Sequence, residues 1–224
     1  MMIPTTSKQV KDTLFKALNQ KTFYWNEYPY NLGFYHNNGK FSFDCVNLLK
    51  AILNGWEVKK TVGYYQHSLV ITGDVNELQF INKCSDVSYD FTKLKELSAL
   101  YMNGHIGAFV EEYSVGDKVY NTIECTSNNV LGDGVVKSFV DSNGYRRPYK
   151  GSPNNCGRWE RHGTLKTWVK YETEKIDYQL VLRIAMKIEK GDYGNNPKRK
   201  ETIVNKYGET YYKLAQGVIN YIHS

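Results

Sequence analysis

The strongest constraint on the fold is a change of periodicity near residue 100. "ALYMNGHIGAFVEEY" and "KVYNTIECTS" read as strands joined by "SVGD", and a further hairpin is predicted around Ser142-Asn143-Gly144. "RWERHGTLKTWVKY" (158–171) is predicted to close the sheet. Upstream, "TSKQVKDTLFKALNQ" (6–20) and the stretch after Cys45 carry apolar residues at helical spacing. Helices followed by an antiparallel sheet indicate an α+β fold.

The flanking regions set the domain boundaries. Residues 57–98 contain the breakers "TGD" and "CSDVS", which predict loops with one or two short helices. Beyond the charged linker "ETEK", three apolar stripes predict three short helices, of which Gly191 ends the first and Pro197 opens the second. The sequence therefore predicts a domain at 1–172 and a small all-α module at 178–224.

The charge balance allows an anionic partner. The 224 residues carry a net charge of +6, and the segment from Leu180 onward holds eight Lys and Arg against four Asp and Glu. Its one basic run, "NNPKRKE", is too short to predict nucleic-acid binding. No apolar run approaches the roughly 18 residues of a membrane span, and the first 20 residues lack the pattern of a signal peptide. Synthesis in the cytoplasm without a membrane partner is the expectation.

The four cysteines do not form a metal-binding pattern. Cys45, Cys84, Cys125 and Cys156 lie 39, 41 and 31 residues apart, without any C-x-x-C pair. This spacing indicates neither a zinc ribbon nor a zinc finger, and a chain of this length does not need disulfides. We expect no metal and no cofactor, and the sequence leaves any cysteine bridge open.

The stretch "FSFDCVNLLKAILNGW" (41–56) raises the question of function. Cys45 follows Asp44 and directly precedes a helical pattern, which places it near the unpaired amides of a first helical turn. Those amides and the helix dipole favour a thiolate, the nucleophilic form of cysteine. A cysteine in this position is also commonly a small buried hydrophobe. The nucleophile hypothesis therefore requires a base elsewhere in the chain.

His105 and Glu124 are the candidates for that base and its orienting group. His105 lies in "NGHIGAFV", where Gly104 is expected to allow close backbone approach, and Glu124 lies on the next predicted strand. If the two strands pair, both side chains can face the side of the sheet that carries the cysteine helix. The imidazole would take the thiol proton, and the carboxylate would fix its tautomer. Taken separately, a histidine or a glutamate at such a strand position commonly has only a structural role.

These segments together resemble a known family. "FDCVNLLKAILNGW", "MNGHIGAFV", "NTIECTS" and "WERHGTLKTWVKY" resemble NlpC-type papain-like peptidoglycan hydrolases of the phage endolysin branch, which are related to CHAP amidases. The resemblance covers about residues 20–171 and implies a papain-like fold, with N-terminal helices packed on an antiparallel sheet. It implies Cys45, His105 and Glu124 as catalytic residues. Asp44 would open the catalytic helix and is a candidate for the substrate or oxyanion site.

Some positions depart from the family pattern. The family usually has Ser-Gly after the cysteine where this chain has Val46-Asn47, and "EEYSVGDKVY" lengthens the hairpin between the base and the third group. Family members also use a tyrosine upstream of the cysteine near the oxyanion. Tyr30 and Tyr35 are the two candidates, and the sequence does not choose between them.

The C-terminal segment resembles a second element. "IAMKIEKGDYGNNPKRKETIVNKYGETYYKLAQGVINYI" resembles the three-helix cell-wall-binding repeat of phage lysozymes and amidases. The resemblance implies a wall-binding role for Tyr193, Gly194, Asn195 and Arg199, on a turn that exposes the tyrosine and backbone amides beside the arginine. A generic three-helix appendage is the alternative.

The combined expectation is a bacteriolytic peptidoglycan hydrolase. Cys45 would attack an amide in the peptide stem through an acyl-enzyme, as an endopeptidase or an N-acetylmuramoyl-L-alanine amidase. Without a signal peptide, the enzyme would reach the wall after holin-type release or cell lysis. A non-catalytic wall-binding protein and an acyltransferase or transglutaminase-like enzyme remain alternatives. The cleaved bond, the target species and the oligomeric state stay open.

Overall fold

The chain has a mixed α+β architecture. The computed structural model describes residues 3–27, 31–64, 68–153, 155–171 and 177–223. Two compact units result, Met1–Glu172 (unit 1) and Thr173–Ser224 (unit 2). Unit 1 combines helices with two sheets, whereas the described residues of unit 2 are helical. None of the described helices is long and apolar enough to cross a lipid bilayer.

The helices of unit 1 begin at side-chain caps. Thr6 and Gln9 form a reciprocal capping box at the first helix, Asp44 caps the second, and Asn76 caps the third. Cys45 is therefore the first helical residue behind an acidic cap, as the sequence predicted. The helices are α1 (Ser7–Leu18), α2 (Cys45–Leu53) and α3 (Glu77–Lys83), with 3₁₀ turns at Phe91–Lys93 and Leu165–Thr167.

A small three-stranded sheet leads into α2. Its strands are β1 (Thr22–Tyr24), β2 (Leu32–Tyr35) and β3 (Phe41–Phe43), in the order β1-β3-β2. β1 runs parallel to β3, and Tyr24 is the register partner of Phe43. Because Asp44 and Cys45 directly follow Phe43, this pairing brings Tyr24 to the start of α2.

The second sheet has seven antiparallel strands in the order β4-β10-β5-β6-β7-β8-β9. Its last strand in sequence, which was expected to close the sheet, instead lies between β4 and β5. The predicted hairpin at Ser142-Asn143-Gly144 does connect β8 to β9. The strands are β4 (Ser85–Ser88), β5 (Ser98–Met102), β6 (His105–Val115), β7 (Lys118–Asn128), β8 (Gly132–Val140), β9 (Arg146–Arg147) and β10 (Arg161–Thr164).

The run "ALYMNGHIGAFVEEY" is two strands rather than one. β5 and β6 pair as a tight hairpin with Met102 opposite His105, and Gly104 takes a positive φ of 74° in the turn. A Cβ at Gly104 would meet open space, so this glycine permits the turn and not a close approach. The close approach occurs at Gly107, where a Cβ would lie 3.0 Å from Glu124 Cβ and 3.2 Å from the Trp159 ring.

The two faces of the seven-stranded sheet line different clusters. Ile106 and Ile123 belong to the large core formed with α1, α2 and α3, which also contains Cys45. On the opposite face, Trp159 packs in a smaller cluster with Leu100 and others. The alternation of side chains along β6 and β7 therefore assigns neighbouring residues to different environments.

Unit 2 has the three helices predicted from its apolar stripes. They are α4 (Tyr178–Glu189), α5 (Lys198–Tyr207) and α6 (Glu209–Ile222). Pro197 directly precedes α5, in agreement with the sequence. The helices share a small core made of Val181, Ile184, Ala185, Ile188, Ile203 and Ala215.

Candidate active site

The structure brings His105 and Glu124 into direct contact. Gly107 is the register partner of Glu124, so His105, two residues earlier on β6, lies on the same face as the carboxylate. His105 Nε2 lies 2.6 Å from Glu124 Oε2. Glu124 is fully buried and His105 is 9 % exposed. The ring of Trp159 stacks on the imidazole with 5.4 Å between centroids and 18° between planes.

Arg146 is a member of this cluster that the sequence did not indicate. Its Nε and Nη2 donate to Glu124 Oε1 and Oε2 at 3.0 and 2.5 Å, and the Ser138 hydroxyl donates to Oε1 at 2.5 Å. The adjacent Arg147 pairs with Asp141 instead. Nothing in "GYRRPY" distinguishes the two arginines, and only the alternation along β9 sends one of them inward.

Glu124 is held as a carboxylate by its partners. Burial alone would raise its pKa, but the Arg146 guanidinium and the hydrogen bond from His105 lower the pKa of Glu124 to about 2. An ionised carboxylate can only accept hydrogen bonds, so the proton between the two side chains is on His105 Nε2. In a neutral ring the other nitrogen, Nδ1, is then the acceptor, which is the tautomer that a general base requires.

Cys45 meets the sheet at the end of β6. The backbone amide of Ile106 donates a hydrogen bond to the thiol sulphur, which places the sulphur beside the residue that follows His105. His105 and Glu124 lie on the face opposite the α2 core, and not on the side of the cysteine helix as expected from the sequence. His105 is the first residue of β6 and directly precedes Ile106, so the imidazole and the thiol belong to the same end of this strand.

The resting state of Cys45 differs from the expected thiolate. Burial and the neighbouring Asp44 carboxylate raise the pKa of the Cys45 thiol to about 12, while the amides of Ile106 and Val46 act in the opposite direction. The helix-start amide thus favours the thiolate, as anticipated, but desolvation outweighs it. A buried, protonated thiol needs a base to become nucleophilic.

The Asp44 carboxylate accepts three hydrogen bonds. Its Oδ1 accepts the Asn47 amide at 2.6 Å, and its Oδ2 accepts the side-chain amides of Asn47 and Asn31 at 2.6 and 2.7 Å. Burial raises the pKa of Asp44 to about 6, although Asn47 and Lys50 lower it. Asn47 is one of the residues where the chain departs from the Ser-Gly pattern, and here it secures the cap of α2.

The tyrosine beside the thiol is Tyr24. Its hydroxyl donates a hydrogen bond to Cys45, and its burial together with Cys45 and Asp44 raises the pKa of Tyr24. Tyr35, one of the two sequence candidates, is the partner of Phe41 at the far end of β3, and its ring packs on Phe41. The other candidate, Tyr30, lies outside the described residues. Sequence reasoning missed Tyr24 because its position depends on the parallel pairing of β1 with β3.

The remaining cysteines are free thiols in other surroundings. Cys84 and Cys125 are buried, and Cys156 is partly exposed. Cys125 donates to the Phe43 carbonyl at 3.3 Å, and burial raises the pKa of Cys84 to about 12. Within the described part of the chain, no group of three His, Cys, Asp or Glu side chains is placed to share a metal ion.

The four wall-binding candidates of unit 2 lie on one turn. Gly194 and Asn195 are exposed, but Tyr193 packs partly buried against the three-helix core and donates its hydroxyl to Tyr207. The turn therefore exposes less of this ring than expected. Arg199 bonds through its backbone amide to the Asn195 carbonyl at 3.0 Å, and its Nε is buried without a hydrogen-bond partner among the described residues.

No protein-family model matches the sequence, and comparison with curated proteins and with solved structures gives no match.

Proposed function

We propose that the chain is a papain-like cysteine hydrolase that cleaves an amide bond in the peptide stem of peptidoglycan. One observation carries the proposal: a buried His105–Glu124 pair lies at the strand end where the thiol of Cys45 meets the Ile106 amide. A base fixed by a carboxylate beside a helix-start cysteine is the arrangement that nucleophilic acyl transfer needs.

The reaction begins with proton transfer. Nδ1 of His105 accepts the thiol proton as Cys45 Sγ bonds to the carbonyl carbon of the substrate, and the carbonyl π electrons move to its oxygen. Glu124 stabilises the resulting imidazolium through Nε2. Because burial raises the pKa of the Cys45 thiol, the proposed mechanism couples this transfer to attack on the substrate.

The tetrahedral intermediate then collapses to a thioester. The leaving amine takes its proton from the imidazolium as the C–N bond breaks, and the acyl group stays on Cys45. A water molecule, deprotonated by the same imidazole, attacks the thioester and releases a carboxylic acid and the free thiol. The Tyr24 hydroxyl, which lies at the sulphur, is the candidate donor to the oxyanion.

The substrate class rests on the family resemblance and on unit 2. The net positive charge of the three-helix unit suits an anionic wall polymer. The target is either a cross-link or stem peptide bond or the muramoyl-alanine amide. Access to the wall follows holin-type release or lysis of the producing cell.

Turbidity clearing of purified walls tests the activity. The wild-type chain should clear them, and thiol alkylation should stop clearing whereas a metal chelator should not. His105→Ala should be inactive, while His36→Ala, at a half-buried histidine that bonds Ser42, should remain active. A wild-type chain that binds walls without clearing them would indicate a non-catalytic binding protein. Turnover only after addition of an amine acceptor would indicate a transferase.

A further inference from the structure

The Arg146 guanidinium occupies the centre of the buried cluster. Besides its two bonds to Glu124, its Nη1 donates to the Cys156 carbonyl at 3.2 Å and its Nη2 to the Thr126 hydroxyl at 3.2 Å. Nη2 also lies 3.4 Å from His105 Nε2. Arg146 is 3 % exposed, so these contacts are made away from bulk water.

The backbone fixes the guanidinium in this place. Arg146, on β9, is the register partner of Val140 on β8. Its backbone amide donates to the Gly157 carbonyl, and its carbonyl accepts a hydrogen bond from the Cys156 amide. Its guanidinium carbon lies 5.7 Å from the centroid of the Trp159 ring that stacks on His105.

Opposite charges face His105 from two other strands. Glu124 faces it from β7 and Arg146 from β9, while Glu160 binds the Asn103 amide at the turn before His105. Cys156 contributes a partly exposed thiol beyond Arg146. An unopposed buried carboxylate 2.6 Å from the ring would strongly favour the imidazolium, which cannot accept a proton.

We propose that Arg146 is a positioning residue that keeps His105 neutral and able to accept a proton at neutral pH, by pairing with the Glu124 carboxylate. This role rests on the hydrolase function proposed above. The contact between Nη2 and Nε2 is between two donors, and it is held because both groups bond the same carboxylate oxygen. Arg146 thereby disfavours protonation of His105 to the imidazolium, while Glu124 still keeps the proton of the neutral ring on Nε2.

A titration of the His105 ring by NMR tests the proposal independently of catalysis. The ring signals are assigned with His105→Ala in the full chain. In the wild type at pH 7, the ring nitrogens should report a neutral imidazole with the proton on Nε2. In Arg146→Gln, protonation should shift to higher pH by about one unit or more, because the carboxylate is then unopposed.

Two variants provide the comparison. Arg146→Lys retains the positive charge and should shift the titration less than Arg146→Gln. Arg147→Gln changes a neighbouring arginine that pairs with Asp141 and should not shift it. The acidic limb of the pH–rate profile for wall lysis should move with the titration in each variant, and Arg146→Gln should regain activity at higher pH.

The outcomes separate this inference from the proposed function. A titration in folded Arg146→Gln that matches the wild type, or a wild-type imidazolium at pH 7, would overturn the role of Arg146. If Arg146→Gln does not fold, the protonation state of the wild-type His105 ring at pH 7 and the titration of Arg146→Lys still test the role of Arg146. If the titration shifts as expected but the wild type lyses no walls, the pairing stands and the hydrolase function fails.

Discussion

His105 Nε2 and Glu124 Oε2 lie 2.6 Å apart across two neighbouring antiparallel strands, and the carboxylate has no exposure to solvent. Glu124 has a pKa of about 2 against an ordinary value of 4.5. A carboxyl whose pKa is lower in the folded chain stabilises the fold above its unfolded pKa, and this contribution is lost as the pH falls through the folded value.

The first prediction concerns stability in acid. Glu124→Gln leaves the Arg146 guanidinium buried without a carboxylate, so the free energy of unfolding at pH 7 should fall by about 3–5 kcal/mol. The free energy of unfolding should also decrease less between pH 4.5 and 2 in the variant than in the wild type. Denaturant unfolding over this pH range measures both effects. Glu112→Gln, which removes an exposed carboxylate paired with Lys150, is the control and should change the free energy little.

The second prediction concerns the oxyanion. Tyr24→Phe removes the hydroxyl beside Cys45 and keeps the ring, so kcat for a soluble muropeptide should fall by roughly 10²-fold with the fold intact. Tyr35→Phe should retain wild-type kcat, because Tyr35 packs on Phe41 at the other end of β3. Equal kcat values for the two variants would show that the Tyr24 hydroxyl does not stabilise the oxyanion.

The third prediction concerns the Asp44 charge. Asp44→Asn keeps a side-chain oxygen able to cap α2 but removes the carboxylate that, after burial, raises the pKa of Cys45. The pH at which Cys45 becomes alkylated should therefore fall by about one unit. Alkylation followed over pH, with peptide mass mapping, measures the change. Cys84, whose thiol pKa is raised by burial alone, is the internal reference and should react as before.

The fourth prediction concerns unit 2. A chain truncated after Tyr171 should cleave soluble muropeptides at nearly the full rate, but should sediment poorly with walls and lyse them at least about tenfold more slowly, since linked binding raises the local substrate concentration. Arg199→Ala in the full chain should weaken sedimentation in the same direction. Arg183→Ala, an exposed arginine on α4 that pairs with Asp177, should not. Unchanged wall binding after truncation would rule out targeting by unit 2.

Local patterns predicted much of the fold. The helix that begins at Cys45 follows from its apolar spacing and its Asp44 cap, and the three helices of unit 2 follow from their stripes and from Gly191. The turn at Asn103-Gly104 also has a local signal, because Asn-Gly is typical of tight hairpins. It was missed because strand-like residues continue on both sides of it.

Residues that depend on distant pairing could not be predicted. Arg146 reaches Glu124 across 22 positions of sequence, and its inward direction is set by the register of β9 on β8. Tyr24 reaches Cys45 through a parallel strand pair, which has no turn signature of its own. In both cases the determining contact is tertiary, and neither residue type nor spacing encodes it.

The most direct test of the hydrolase account is mass analysis of the soluble fragments released from purified peptidoglycan. The wild-type chain should release muropeptides that carry a new amine and a new carboxyl group at one amide, and the mass will identify that bond. Folded Cys45→Ser should release none, whereas Cys156→Ser, at a partly exposed thiol, should give the wild-type fragments. The same fragments from Cys45→Ser at the wild-type rate would contradict the account.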